Sequence, residues 1–217
     1  MTKLTLPALY AIININEDNF REDMIGCNDS LLYQSLHNSL ELIQIRCKDI
    51  STTKVESLVE SICTFKKEAN SKSLVILNDY VEIAHKYGLD GVHLGQSDKS
   101  PIDARAICGD DFIIGLSCHN IQDLESAPTD ILNYIACGPI YSSATKNGHA
   151  PEVGILNLQK FCLRSALPVV AIGGITLKNA APVFHAGAAS CAVISELEKC
   201  HSPKALDDEF RLIKATS

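Results

Sequence analysis

From Leu74 to Asp98 the chain runs strand, helix, strand with almost nothing between, and that spacing admits few folds. Leu74-Val75-Ile76-Leu77 is a short apolar run that stops at Asn78-Asp79. Val81, Ile83-Ala84 and Tyr87 then recur at three-to-four spacing, and Gly88 closes the helical pattern. Gly91-Val92-His93-Leu94 follows as a second strand and ends at Gly95-Gln96-Ser97-Asp98. A connection of that length joins parallel strands, and its right-handed crossover brings both carboxyl ends to one sheet edge. Asp79 and Asp98 therefore leave neighbouring strands side by side, as hard oxygen ligands of the kind that share Mg²⁺ with a phosphate. Two solvated loop aspartates, one of them a helix N-cap, would give the same pattern.

The same alternation extends along the chain. Strands are expected at Leu9–Ile13, Leu42–Cys47, Asp111–Ser117, Tyr134–Gly138, Pro168–Ile172 and Cys191–Ile194. Helices are expected from the Asn28-Asp29-Ser30 cap cluster to near Glu41, from the cap at Asp49–Ser51 to about Ala69, and over Pro101–Ile107. Further helices fall at Ile121–Ser126, Ile155–Cys162 and Leu177–Phe184, with one more at the C-terminus. Eight strands alternating with eight helical stretches is the arithmetic of an α/β (β/α)₈ TIM barrel, and residues 1–217 leave nothing over for a second domain.

Composition narrows the chemistry. The formal net charge of −7 and the absence of a basic run argue against a nucleic-acid or anionic-membrane surface. Any phosphate must be held locally, by a few cations and backbone amides. Nine cysteines without a CxxC pair, several among apolar neighbours, read as reduced core residues of a cytoplasmic protein. Pro7 interrupts the mildly apolar N-terminal run, and neither an export signal nor a membrane span is expected. The expected partners are two small phosphorylated substrates, bound by one chain or by a homo-oligomer.

In a (β/α)₈ barrel the site lies at the carboxyl ends of the strands, and here almost every end is polar or glycine-rich. Gln44, Arg46 and Lys48 fall at spacing two in an otherwise apolar strand, so they point to one side, where a phosphate would suit them. Gly173-Gly174 would let backbone N–H groups approach an anion, although a plain βα turn needs the same glycines. Ser143 and Thr145, in the long loop Pro139–Ala150, could donate hydroxyls to that anion, and Lys146 adds a cation facing the aspartates. His93 lies in a strand near the mouth and either touches a ligand or fills the barrel. His37, His85, His185 and His201 carry no metal-ligand spacing, and neither His119 nor His149 has an assignable role.

The runs QIRCK (Gln44–Lys48), Asn78-Asp79, GVHLGQSD (Gly91–Asp98), GLSCH (Gly115–His119), GPIYSSATK (Gly138–Lys146), AIGGI (Ala171–Ile175) and Val193–Ser195 resemble thiamine phosphate synthases, in the same order over nearly the whole chain. The resemblance implies a transferase that joins hydroxymethylpyrimidine diphosphate to hydroxyethylthiazole phosphate and releases pyrophosphate, with Mg²⁺ on Asp79 and Asp98. It implies that Gln44, Ile45, Arg46, Cys47, Lys48, Asn78, Ser117 and Lys146 bind the pyrimidine diphosphate, with His93 beside them. Of these, Lys146, Ser117 and Arg46 would serve catalysis. Ser143, Ala144, Thr145, Gly174, Ile194 and Ser195 would bind the thiazole phosphate.

Tyr80 stands where the family commonly has Arg, Ser143 where it has Thr, and Asn147 where a second Lys is frequent; these bear on affinity more than on reaction class. The related thiazole tautomerase shares the barrel, but it would place a catalytic His where this chain has Pro139. A non-catalytic phosphate-binding barrel would keep the glycines yet need neither Lys146 nor both aspartates.

Overall fold

The computed structural model describes residues 4–142 and 151–217. Eight parallel strands close on themselves in sequential order, each next to its neighbour in the chain and the eighth hydrogen-bonded back to the first. They are β1 (Leu9–Ile15), β2 (Leu42–Cys47), β3 (Leu74–Asn78), β4 (Gly91–Leu94), β5 (Ile113–Cys118), β6 (Tyr134–Cys137), β7 (Val169–Ile172) and β8 (Ser190–Val193). The helices are α1 (Leu31–His37), α2 (Thr52–Glu68), α3 (Val81–Tyr87), α4 (Pro101–Cys108), α5 (Ile121–Ser126), α6 (Gly154–Arg164), α7 (Ala180–His185), α8 (Ser195–Lys199) and α9 (Pro203–Ala215). This is the expected (β/α)₈ barrel.

Closure turns strand alternation into two separate cores. Odd-parity side chains of β2, such as Ile43, Ile45 and Cys47, join the layer between strands and helices. Residues of the other parity, among them Tyr10, Ile12, Leu42, Ile76, Ile113, Tyr134, Val170 and Ala192, fill the lumen. The outer layer is completed by helix stripes such as Val55, Leu58, Val59 and Ile62 of α2, each contributing about 1.5–3 kcal/mol by burial. Ser51 caps that helix by accepting from Lys54 N–H, and Gly88 ends α3 in the left-handed conformation at φ 73°.

Strand β1 runs on to Ile15 and α6 to Arg164, each two residues past expectation, and four further departures have local reasons. Helix α1 stops at His37, because Ser39 turns to φ 53° and Leu40 N–H returns to Ser35 O, folding Leu40 into the core. Strand β5 begins at Ile113, two residues late, where Ile113 N–H first pairs with Asp90 O of the preceding crossover. Helix α7 starts at Ala180 because Asn179 Oδ1 takes the Thr176 amide at 2.7 Å and holds the intervening residues in a turn. The single C-terminal helix is two, α8 and α9; Ser202 recaps the second and Pro203 occupies its first turn.

Gly91 faces the lumen where β4 crosses β5. A Cβ there would lie 2.3 Å from Ile113 O, 2.6 Å from Ile113 Cβ and 2.8 Å from Ile76 Cδ1, so moving a side-chain tip alone would not relieve it. Gly91→Ala is therefore expected to cost about 1–3 kcal/mol in urea unfolding. A variant as stable as the parent would show that β4 can slide at no cost.

Candidate active site

The carboxyl ends of all eight strands open at one end of the barrel, and the acidic pair stands where β3 and β4 leave it. Asp79 N–H donates to His93 O at 3.0 Å, which ties the end of β3 to β4. Its φ of 69° is a strained value for a non-glycine residue, closed by Tyr80 N–H returning to Asn78 O at 2.9 Å. Asp98 is oriented by Gly95 N–H, which donates to its Oδ2 at 2.6 Å. Gly95 has to be small, since a Cβ would sit 2.8 Å from that same oxygen.

The two carboxyl groups meet. Partial burial, followed by the hydrogen bond and the charge of Asp98, raises Asp79 from 3.8 to about 7, while Arg46 and the Asn78 side chain pull it back. Two carboxylates within reach of one another hold a proton between them or a cation. Mg²⁺ fits this donor set, because it is commonly held by one or two carboxylates with substrate phosphates and water completing the shell. Arg46 is braced by Asn14 Oδ1 at 3.3 Å, across the β1–β2 register that pairs those residues.

A second group lines the lumen below the mouth. Gln44 donates to the Tyr10 hydroxyl at 3.0 Å, Tyr10 and Tyr134 hydroxyls lie 2.8 Å apart, and His93 bridges Tyr134 at 3.0 Å and Ser117 Oγ at 2.8 Å. His93 thus fills the barrel and reaches the mouth through Ser117. Gln96 crosses the rim to donate to Ser117 O at 2.6 Å.

Four strands round the barrel from the aspartates, Gly173 and Gly174 follow β7 with φ of 105° and 63°. A Cβ on Gly173 would lie 2.6 Å from Pro139, and one on Gly174 2.6 Å from Ser142 O, so conformation and space both demand glycine. Asn179 holds the turn by donating to Gly174 O at 2.9 Å, and the Tyr141 hydroxyl donates to Asn179 O at 3.1 Å. The Ile172–Ala192 register carries Gly174 and Ile194 out of adjacent strand ends, and half-buried Ser195 opens α8. Glu196 Oε1 accepts from Leu177 N–H at 3.1 Å and joins the two loops.

Arg46, Asn78, Asp79 and Asp98 are thus brought together, as are Gln44, His93 and Ser117. Ile45 and Cys47 point outward into the strand–helix layer, so they border the mouth through backbone alone. Burial pushes the Cys47 thiol up to about 12, which keeps it protonated beside its cationic neighbours. Lys48 is exposed at the rim. Ser143, Ala144, Thr145 and Lys146 lie outside the described residues, as do Asn147 and His149. Tyr10, Tyr134, Asn14 and Asn179 are residues of this region not expected from the sequence; the register that pairs Ile12 with Gln44 turns Tyr10 and Asn14 inward. Exposed His37, His85, His185 and His201 take no part, and His119 contacts Gly138 O at 3.1 Å.

A closed parallel barrel with an acidic pair on one side of its mouth and a glycine turn on the other places the chain among the (β/α)₈ barrels, whose sites gather at this face. The family described as thiamine monophosphate synthase matches residues 9–197. The thiamine-phosphate synthase of a Psychrobacter species is 36% identical over 84% of this chain and 87% of its own. That of Bacillus licheniformis is 40% identical over 97% and 94%. A thiamine phosphate pyrophosphorylase from Pyrococcus furiosus superposes with a TM-score of 0.77 at 24% identity, covering 96% of both chains, a likeness of fold. The chain belongs to the thiamine-phosphate synthase family, whose members are transferases.

The acidic pair has a measurable signature. An unfolded aspartate titrates near 3.8 and folded Asp79 near 7, so the folded state binds the extra proton between those values. The stability this contributes is complete below the lower value and lost as pH rises through the upper one. In chelator, the thermal unfolding midpoint should therefore fall as pH rises from about 4 to about 7 and level off above that. Asp79→Asn, which tolerates a positive φ, should show a shallower fall; identical slopes would mean that the two carboxyl groups do not share a proton.

Proposed function

We propose that the chain condenses hydroxymethylpyrimidine diphosphate with hydroxyethylthiazole phosphate to give thiamine monophosphate and pyrophosphate. The observation that carries this reading is the pairing of Asp79 with Asp98 beside Arg46, on the far side of one mouth from the glycine turn. One pole suits a diphosphate with a divalent ion, the other a monophosphate held by amides and hydroxyls. A mouth with both poles takes two phosphorylated substrates at once. Family membership supports the same chemistry.

Asp79 and Asp98 would hold Mg²⁺, which when bound neutralises charge on the pyrophosphate. Arg46, Lys48 and Lys146 take up the rest of that charge. As the methylene carbon–oxygen bond breaks, its electron pair leaves with the pyrophosphate, and a pyrimidine methylene cation remains. The thiazole nitrogen donates its lone pair to that carbon, and the new C–N bond completes the exchange. Ser117, Gln44 and His93 orient the pyrimidine. Gly174, Ile194 and Ser195, with Ser143 to Thr145, hold the thiazole phosphate at the distance where the nitrogen meets the cation. Catalysis of this kind is electrostatic and positional, so no nucleophile or general base is required.

Nine free thiols suit a reducing, cytoplasmic compartment, and among the described residues no helix is long and apolar enough to cross a membrane. The chain works as one barrel domain over residues 1–217, alone or as a homo-oligomer.

Incubation with both precursors and Mg²⁺ should release pyrophosphate only when both are present. Release from the pyrimidine diphosphate alone would indicate a hydrolase, and isomerisation of a thiazole without release a tautomerase. Asp98→Ala should lower kcat by about 10²–10³-fold with circular dichroism unchanged. Lys146→Ala should slow the chemical step well over tenfold, since a charge aimed at a leaving group contributes about 2–4 kcal/mol in a dry site. An effect of Lys146→Ala confined to thiazole phosphate affinity would place that cation at the other pole.

A further inference from the structure

Five polar side chains from five strands form one unbroken hydrogen-bonded chain across the lumen: Gln44, Tyr10, Tyr134, His93 and Ser117. The first four are buried, with Tyr10 1% and Tyr134 0% exposed, while half-exposed Ser117 ends the chain at the mouth. The packing is fitted to it. Tyr134 meets Tyr10 edge-on at 5.8 Å between centroids and stacks on the His93 ring at 5.6 Å. Gly115, across the β5–β6 register from Tyr134, leaves the phenol its space, since a Cβ there would lie 2.1 Å from Tyr134 Cζ and 2.4 Å from its hydroxyl oxygen.

A phenol has one proton to give, and the direction that satisfies each member of the chain in turn starts from the Gln44 amide. Tyr10 accepts from Gln44 Nε2, so its own proton goes to Tyr134. Tyr134 then passes its proton to His93 Nδ1. An imidazole that accepts at Nδ1 carries its hydrogen on Nε2, and that hydrogen goes to Ser117 Oγ. Ser117 is left with its proton aimed into the mouth. At the other end Gln44 spends an N–H on Tyr10, which leaves Oε1 as the acceptor of that amide. Burial, the largest effect on either phenol, raises the pKa of both, so each keeps the proton it passes on.

We propose that Tyr134 and Tyr10 are positioning residues that set the hydrogen-bond polarity of the ring pocket, making Ser117 a donor and Gln44 an acceptor. The ligand edge that matches is a ring nitrogen acceptor paired with an exocyclic amino donor, as in a 4-aminopyrimidine. A 4-oxo ring sets a carbonyl oxygen against Gln44 Oε1 and leaves both unsatisfied, which a buried site rejects strongly. The inference rests on the reading that the pyrimidine occupies this part of the mouth.

The test uses the full-length protein, with nitrogen NMR of isotope-labelled histidine (His93 identified by loss of its signals in His93→Gln) and steady-state kinetics with the 4-amino and 4-oxo pyrimidine diphosphates. The parent should show His93 as the Nε2–H tautomer. Tyr134→Phe should lose that single tautomer and reduce amino-over-oxo discrimination in kcat/KM about tenfold or more, leaving KM for the thiazole phosphate unchanged. Tyr10→Phe frees the Gln44 amide to turn either end to the ligand, so discrimination should fall while the His93 tautomer is kept. This split between the two variants is one that a purely structural role would not produce, and Tyr10→Phe carries the test if Tyr134→Phe does not fold. An Nδ1–H tautomer in the parent, or unchanged discrimination in a folded Tyr→Phe variant, overturns the proposal. A parent that condenses neither pyrimidine refutes the functional reading instead, and the tautomer measurement still judges the relay.

Discussion

Closure of a parallel sheet is the constraint from which the rest of this molecule follows. Once β8 pairs back to β1, every second side chain of every strand is committed to the lumen, whatever its polarity. The chain meets that with apolar residues and glycine at the lower levels and with Gln44, Arg46, Asn78, His93 and Ser117 near the mouth. Because all the strands run the same way, the polar ends gather at one face. The site is the upper layer of the barrel filling, continued into the loops.

Electrostatic division of that face explains its residue types. The β3 and β4 ends bring two carboxyl groups together at the cost of a positive φ at Asp79 and a pKa drawn up to about 7. No folding requirement calls for that arrangement, and strain of this sort persists where the surroundings impose it for a purpose. The β7 end has a different character, a glycine turn with φ of 105° and 63° stitched by Asn179, with the Glu196 carboxylate beside it engaged by the Leu177 amide. Below the mouth, in the lumen, runs the hydrogen-bonded chain through both tyrosines, from Gln44 to Ser117.

Much of the fold was legible because the strand and helix periods are clean and the punctuation is strong: Gly88 after α3, Pro101 in the first turn of α4, Ser51 before α2. The pairing of Asp79 with Asp98 was legible because one crossover sets it. Gln44 and Arg46 declared themselves as polar residues at spacing two in an apolar strand. The Tyr10–Tyr134 contact was not legible, since it joins residues 124 apart whose proximity arises only when the barrel closes. The positive φ values at Ser39 and Asp79 have no glycine to mark them, so the early end of α1 and the turn that aims Asp79 were hidden. The break between α8 and α9 did have a signal, Ser202 followed by Pro203, which an unbroken reading of the C-terminal helix passed over.

The proposed chemistry depends most directly on the acidic pair holding a divalent ion in contact with the diphosphate. Mn²⁺ substituted for Mg²⁺ makes this visible, because a phosphorus nucleus bonded through oxygen to the ion shows a resolved hyperfine coupling in electron–nuclear double resonance. With pyrophosphate bound, the parent protein should show that coupling, and the Asp79→Asn, Asp98→Asn double variant should lose it. The same coupling in the double variant would place the ion elsewhere and contradict the account.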